Sequence, residues 1–300
     1  MSMKAIQNFD ELVAHLAERT ERRKVAVVCP NDESTQYAVS RALDEGFIDA
    51  MLVGATDEAR GKFERYGDRV QFIAASDADD AARKAVALVR EGKADVLQKG
   101  LLNTDNLLHA VLNKETGILP KGRVLTHLTC AQIPGYERFL FFTDAAVIPH
   151  PTAAQREEQL KYVIETCQAM GIDEPRIGLI NCTEKVNEKF FPFTVEYKEL
   201  IAKVEAGEFG RCIVDGPLDL KTCLSPEALH KKGIDSPLEG RSDAVIFPDI
   251  QAGNVFYKTI TLFSGALCAG ILRGPLCPVV LPSRGDSKMS KFYSLALASI

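Results

Sequence analysis

The sequence predicts an α/β protein of two lobes with a cleft, and three observations carry that expectation. A chain of 300 residues exceeds what a single core comfortably organises. From Lys24 onward, short apolar runs alternate with stretches whose apolar residues recur at three- and four-residue spacing, the mark of repeated βαβ units around a parallel sheet covered on both faces. Several of those runs end in polar tips rich in Gly, Pro, Asn and Asp, which is where an open α/β sheet binds its ligands.

Taken in order, strands are expected at residues 25–29, 50–53, 70–74 and 94–97, with a helix carrying Ala82, Val86, Leu88 and Val89 before the last of them. Asn103, Thr104 and Asp105 can cap a helix over residues 106–113, which sets Lys99 beside a helix N-terminus. Apolar runs at 124–133 and 139–143 lead to a helix over about 152–170. Strands follow near 177–181, 213–214 and 244–247, then a long apolar helix over about 253–268. A strand at 279–281 and a final helix come last. The Pro- and Gly-containing segments 117–122 and 149–151 suit a change of domain, and the last strand, loop and helix can return to the first lobe. The expected division is residues 1–130 plus 275–300 for one lobe and 131–274 for the other.

Composition narrows the function. The chain is 46% hydrophobic and 26% charged, as in ordinary folded proteins, and its 41 acidic and 36 basic residues are interspersed. Without a basic stripe there is nothing to neutralise a nucleic-acid backbone. No window reaches the ~18 apolar residues of a membrane span, and the opening stretch is amphipathic, so a cytoplasmic protein is expected. Eight cysteines (29, 130, 167, 182, 212, 223, 268 and 277) at scattered spacings, with no C-x-x-C pair, read as reduced thiols and neither disulfides nor a zinc site. The histidines at 15, 109, 127, 150 and 230 are isolated from one another and carry no assigned chemistry. Neither the dinucleotide glycine fingerprint, the P-loop, H-E-x-x-H nor G-x-S-x-G occurs.

The most informative stretch is Pro282-Ser283-Arg284-Gly285-Asp286-Ser287, set between a strand and a helix. A helix N-terminus offers unpaired N–H groups, a glycine lets backbone approach a ligand, and an arginine grips phosphate with two parallel hydrogen bonds. Other strand ends carry Lys99-Gly100, Thr143-Asp144, Thr183-Glu184-Lys185-Val186-Asn187, Asp215-Gly216-Pro217 and Pro248-Asp249, the last followed by Asn254 and Lys258. Each is a turn signal by itself; with Ser283-Arg284 they suggest one anion site built from many strand ends.

These blocks, with Val111-Leu-Asn-Lys-Glu115 and Pro134-Gly135-Tyr136, resemble the phosphate acetyl/butyryltransferase family, and within it the phosphate butyryltransferase branch. The matches run in order from about residue 94 onward. What the resemblance implies is a fold like the isocitrate/isopropylmalate dehydrogenases, two α/β/α lobes around a central cleft, in a homodimer or larger assembly. The implied reaction moves a short-chain acyl group, butyryl, from acyl-CoA to inorganic phosphate, reversibly, with no metal and no redox cofactor. Acyl-CoA and phosphate are then the partners. Arg284 would hold phosphate or the departing thiolate, Ser283 would donate to the thioester oxygen, and Lys99, Thr143, Lys185, Asp249, Asn254, Lys258 and Ser287 would line the substrates. The acetyl branch carries an aspartate seven residues after the loop serine; here that residue is Ser290, which leaves Asp286 as the replacement base or as a helix cap. An acyl-cysteine route lacks a basic partner for any cysteine. The alternatives are a phosphate acetyltransferase, a non-catalytic acyl-CoA sensing module of the same fold, and a decarboxylating dehydrogenase, whose aspartate cluster and arginine trio are not seen.

Overall fold

A computed structural model describes residues 4–282 and 285–300. Parallel pairing dominates because most strands are linked by helices, and the chain divides into two compact units. One contains residues 9–125 and Cys268–Ile300; the other contains residues 4–8 and Thr126–Leu267. The divisions fall at Phe9, Thr126 and Cys268.

In the first unit, β1 (Arg23–Val28), β2 (Ile48–Val53), β3 (Val70–Ile73), β4 (Val96–Lys99) and β11 (Val279–Val280) run parallel, and β10 (Leu267–Arg273) pairs antiparallel with β11. The spatial order is β3-β2-β1-β4-β11-β10. The chain moves outward from β1 through β2 to β3 and returns to β4 on the other side of β1. That reversal is a topological switch point, where neighbouring loops diverge and leave a crevice.

The strands expected at 25–29, 50–53, 70–74, 94–97 and 279–281 all form, with ends shifted by one or two residues. The central residues Val25–Val28 and Val96–Lys99 are buried, as a sheet covered on both faces requires. Helix α2 (Glu33–Asp44) starts at Asp32, and α4 (Ala78–Arg90) starts at Asp77; each aspartate accepts a hydrogen bond from the amide three residues on. Helix α5 covers Thr104–Val111 with Asn103 as its first cap residue. The last helix, α11 (Lys288–Ala298), is buried from Lys291 to Ala298 and stacks Tyr293 on Phe9 of α1 (Phe9–Ala17) at 4.2 Å between ring centres.

In the second unit, β6 (Phe139–Thr143), β9 (Ala244–Ile246), β7 (Arg176–Ile180) and β8 (Ile213–Leu218) are parallel neighbours, with β5 (Thr126–Gln132) antiparallel to β6. Helices α6 (Ala153–Ala169) and α10 (Ile250–Phe263) follow strand ends. The helix expected to run to about Cys268 stops at Phe263. Gly265 sits at φ +66°, a left-handed conformation that ends a helix, and the following residues form β10.

Gly100 shows how closely the strand ends are fitted. Its amide donates to the Val28 carbonyl at 2.8 Å, and the Leu101 amide donates to the Cys29 carbonyl at 2.7 Å. A Cβ at Gly100 would lie 2.3 Å from the Cys29 carbonyl oxygen, which is backbone and cannot swing aside. Gly100→Ala is therefore expected to lower the urea unfolding free energy by about 2 kcal/mol or more, as overpacking against fixed neighbours does; an unchanged midpoint and slope would show that the β1 and β4 ends are not this tightly joined.

Candidate functional site

The carboxyl ends of β1 and β4 border a cavity of about 530 Å³. Its walls include Asp32 and Ser34 from the start of α2, Lys99 and Gly100 from β4, Pro282 after β11, and Lys291 from α11. The turn that leads from β1 to Asp32 is braced locally. Asn31 donates to the Gly54 carbonyl at 3.0 Å, its side-chain oxygen receives the Thr56 amide at 2.9 Å, and Gln36 donates to the Pro30 carbonyl at 3.0 Å. The turn after β1 is thus held by side chains from both directions.

Two lysines line this cavity while almost fully withdrawn from solvent: Lys99 is 6% exposed and Lys291 8%. Lys99 Nζ lies 3.4 Å from the Gly100 carbonyl oxygen. Lys291 Nζ donates to Asp32 Oδ1 at 3.1 Å and to Ser34 Oγ at 2.5 Å. The same Asp32 oxygen accepts from the Thr35 amide at 2.9 Å and from Ser34 Oγ at 2.6 Å, whereas Asp32 Oδ2 has no hydrogen-bond partner. Burial pushes the Asp32 carboxyl upward, but the bonds from Ser34, Thr35 and Lys291 outweigh it and hold the pKa at about 2. Two cations against one already engaged carboxylate make the cavity suited to an anion.

The loop singled out from sequence begins at this wall. Ser283 and Arg284 lie outside the described residues. Pro282 lines the cavity, Asp286 is partly buried, and its charge, after burial itself, helps raise the Cys268 thiol to about 12. The helix cap falls on Ser287 and not on Asp286: Ser287 Oγ accepts the Ser290 amide at 3.1 Å.

In the second unit, the parallel strands β6 and β9 bring Thr143 and Asp249 to one sheet edge. Thr143 ends β6 fully buried, donating to the His127 carbonyl at 2.8 Å. Beside it, the buried Asp144 accepts from Thr126 Oγ1 at 2.8 Å and from the amides of Ala146, Val147 and Ile148 at 2.7, 2.9 and 3.1 Å. Asp249 caps α10 through the Ala252 amide at 2.9 Å, and Asn254 donates to the Ala145 carbonyl at 2.9 Å. Gly253 packs so closely that a Cβ there would lie 2.1 Å from the Asp144 carbonyl oxygen. Asn254 thus fastens α10 to the loop after β6, while Asp249 caps the helix start. Lys258 is exposed, with Nζ 4.8 Å over the Tyr257 ring, and Lys185 is exposed in the loop after β7.

The structure brings Lys99 together with the approach to Ser283-Arg284 in the first unit, and Thr143, Asp249 and Asn254 in the second. It adds Asp32 and Ser34, which sequence reasoning missed, and a cavity position for Lys291. The signals were an Asp four residues past the end of β1 at a helix start, and a lysine directly before Phe292 and Tyr293 in α11. Cysteine chemistry gains no support: burial raises the thiols of Cys29, Cys167, Cys212, Cys223, Cys268 and Cys277 above their ordinary range.

Comparison with known proteins decides the family. The pattern of the family described as phosphate acetyl/butaryl transferase matches residues 71–299. The chain belongs to this family. It is 37% identical to the phosphate butyryltransferase of Clostridium acetobutylicum over 98% of each chain, and 34% identical to the phosphate acetyltransferase of Thermotoga maritima over 94% of this chain and 96% of that protein. Among solved structures, a branched-chain phosphotransacylase from Enterococcus faecalis superposes with a TM-score of 0.79 at 30% identity, covering 92% of this chain and 97% of that one. The chain is accordingly an enzyme of the phosphate acyltransferase family. No helix among the described residues is long and apolar enough to cross a membrane.

The low pKa of Asp32 gives an acid-stability signature. A carboxylate held at about 2 when folded, against ~3.9 unfolded, adds stability that is present above pH 4 and disappears as pH falls through 2, roughly 2 kcal/mol in all. Asp32→Asn is expected to be less stable at neutral pH and to lose less stability between pH 4 and 2, as read from urea midpoints across that range.

Proposed function

We propose that this enzyme is a phosphate butyryltransferase, catalysing reversible transfer of a short-chain acyl group from acyl-CoA to inorganic phosphate. The observation that carries the reading is the cavity at the β1 and β4 ends, where buried Lys99 and Lys291 offer positive charge on walls that also include Pro282. The butyryl assignment is supported by the Clostridium relative named for that activity, and the acetyl alternative by the Thermotoga relative. The proposed likeness to the isocitrate/isopropylmalate dehydrogenases is supported by a mostly parallel sheet with one antiparallel strand in each unit.

The chemistry asks for charge management more than for a strong base. A phosphate oxygen attacks the thioester carbonyl carbon, an oxyanion forms, the C–S bond breaks, and the phosphate proton ends on the CoA sulfur. Phosphate is already ionised near neutral pH, so holding it in line and stabilising the oxyanion supply most of the acceleration. In this proposal Arg284 and Lys99 hold phosphate, Ser283 donates to the thioester oxygen, and Asp286 takes the thiol proton in the reverse direction. Ser287 supports the loop as the cap of α11. Thr143, Asp249 and Asn254 shape the second unit's strand edge, and Lys185 and Lys258 are exposed cations for CoA. No metal or redox cofactor is required by this scheme.

Purified protein given phosphate and acetyl-, propionyl-, butyryl- or isobutyryl-CoA should release thiol, with butyryl-CoA favoured over acetyl-CoA by about 15-fold, the worth of two extra buried methylenes. Preference for acetyl-CoA would move the enzyme to the other branch. Binding of acyl-CoA without any phosphate-dependent thiol release would make the protein a sensor.

A homodimer or larger assembly is also proposed, supported by α10. Val255, Leu262 and Phe263 on this helix are 65%, 75% and 81% exposed, an apolar ridge that water does not favour. Light scattering should report at least twice the chain mass of 32.9 kDa, and L262E combined with F263E should reduce it to one chain; a monomeric unaltered protein would remove the proposal.

A further inference from the structure

We infer that Lys291 is a phosphate-group ligand of the cavity at the β1 and β4 ends, held in its working position by Asp32 and Ser34. This inference rests on the phosphate acyltransferase reading of the site. An ammonium has three N–H donors. Asp32 Oδ1 and Ser34 Oγ account for two of those of Lys291, and the residue lines the cavity, which leaves a donor for a bound anion.

Burial explains why such an arrangement needs its carboxylate. A lysine on α11 at 8% exposure would otherwise bury an unpaired ammonium or swing out to water. Asp32 pairs with that ammonium at 3.1 Å, and Asp32 is itself anchored as the cap of α2 through the Thr35 amide. The ammonium is therefore fixed before any ligand arrives, and no long side chain has to be ordered on binding. The second cation, Lys99, lines the same cavity at 6% exposure, so a phosphate group there meets positive charge from a strand end and from a helix. Asp32 and Ser34 act through Lys291 and are positioning residues.

A phosphate group can come from two sources, inorganic phosphate or the phosphates of CoA, and substrate variation separates them. Michaelis constants for phosphate and for butyryl-CoA are measured for the unaltered enzyme, Lys291→Met, Lys291→Arg and Ser34→Ala, with butyryl-pantetheine, which lacks those phosphates, as a second acyl donor. Lys291→Met is expected to raise one of the two constants about tenfold with a smaller change in kcat, and Ser34→Ala to raise the same constant about threefold. Lys291→Arg, which keeps the charge, should recover part of the loss. A raised constant for phosphate that persists with butyryl-pantetheine assigns the site to inorganic phosphate. A raised constant for butyryl-CoA that vanishes with butyryl-pantetheine assigns it to CoA.

Constants within twofold of the unaltered enzyme in both Lys291→Met and Ser34→Ala would overturn the inference. So would a loss confined to kcat or to thermal stability. Should Lys291→Met fail to fold, Ser34→Ala decides alone, since it removes one hydroxyl contact of the ammonium. Absence of phosphate-dependent turnover in the unaltered enzyme would instead overturn the acyltransferase reading, and the two failures cannot be confused.

Discussion

The hydrogen bond from the Gly100 amide to the Val28 carbonyl extends the pairing of β1 and β4 beyond the last strand residue, and the anion cavity is built on that extension. It sets Lys99 against the turn that carries Asp32, so these two wall residues are placed by backbone, whereas Lys291 is held by its bonds to Asp32 and Ser34. Parallel strands give every carboxyl end the same edge, and the reversal of strand order between β1 and β4 opens a gap there. Lys291 then enters from a helix that starts just after β11, the next strand along. Three segments far apart in sequence thus meet with little left to side-chain flexibility.

Much of this was legible in the sequence, because periodicity reports burial directly. The short, largely apolar runs at Val25–Val28 and Phe139–Thr143 point to interior strands, and both are buried along their length. Lys99 stood out as a charge at the end of such a run. What stayed hidden was partnership across distance: nothing in the neighbourhood of Lys291 reveals that Asp32, more than 250 positions earlier, receives its ammonium. The helix expected to reach about Cys268 also misled, since an apolar run does not distinguish helix from strand until Gly265 is seen in its left-handed conformation.

The two units solve a common problem differently. At the edge of the second unit, Asp144 is saturated by a hydroxyl and neighbouring amides, and Asp249 and Asn254 each satisfy a backbone group; these polar residues hold shape. In the first unit, Asp32 leaves one oxygen without a hydrogen bond at a wall that Lys291 also lines. A fully satisfied polar network gives rigidity, whereas an incompletely satisfied one at a cavity wall is poised for a ligand. Sequence motifs do not distinguish these cases, since both present a polar tip after an apolar strand.

The interleaving of the units bears on the order in which the protein can be made. Residues 9–125 emerge from the ribosome well before β11 and α11, which complete their sheet and cover it, because the whole of Thr126–Leu267 is translated in between. The earlier segment therefore waits with β4 lacking its β11 neighbour and with the α11 side of α2 and α1 bare, while the later-translated unit already has nearly all of its strands. Synthesis at a pace of ~5–20 residues per second makes that wait many seconds long, an interval in which one edge of β4 has no β11 to pair with.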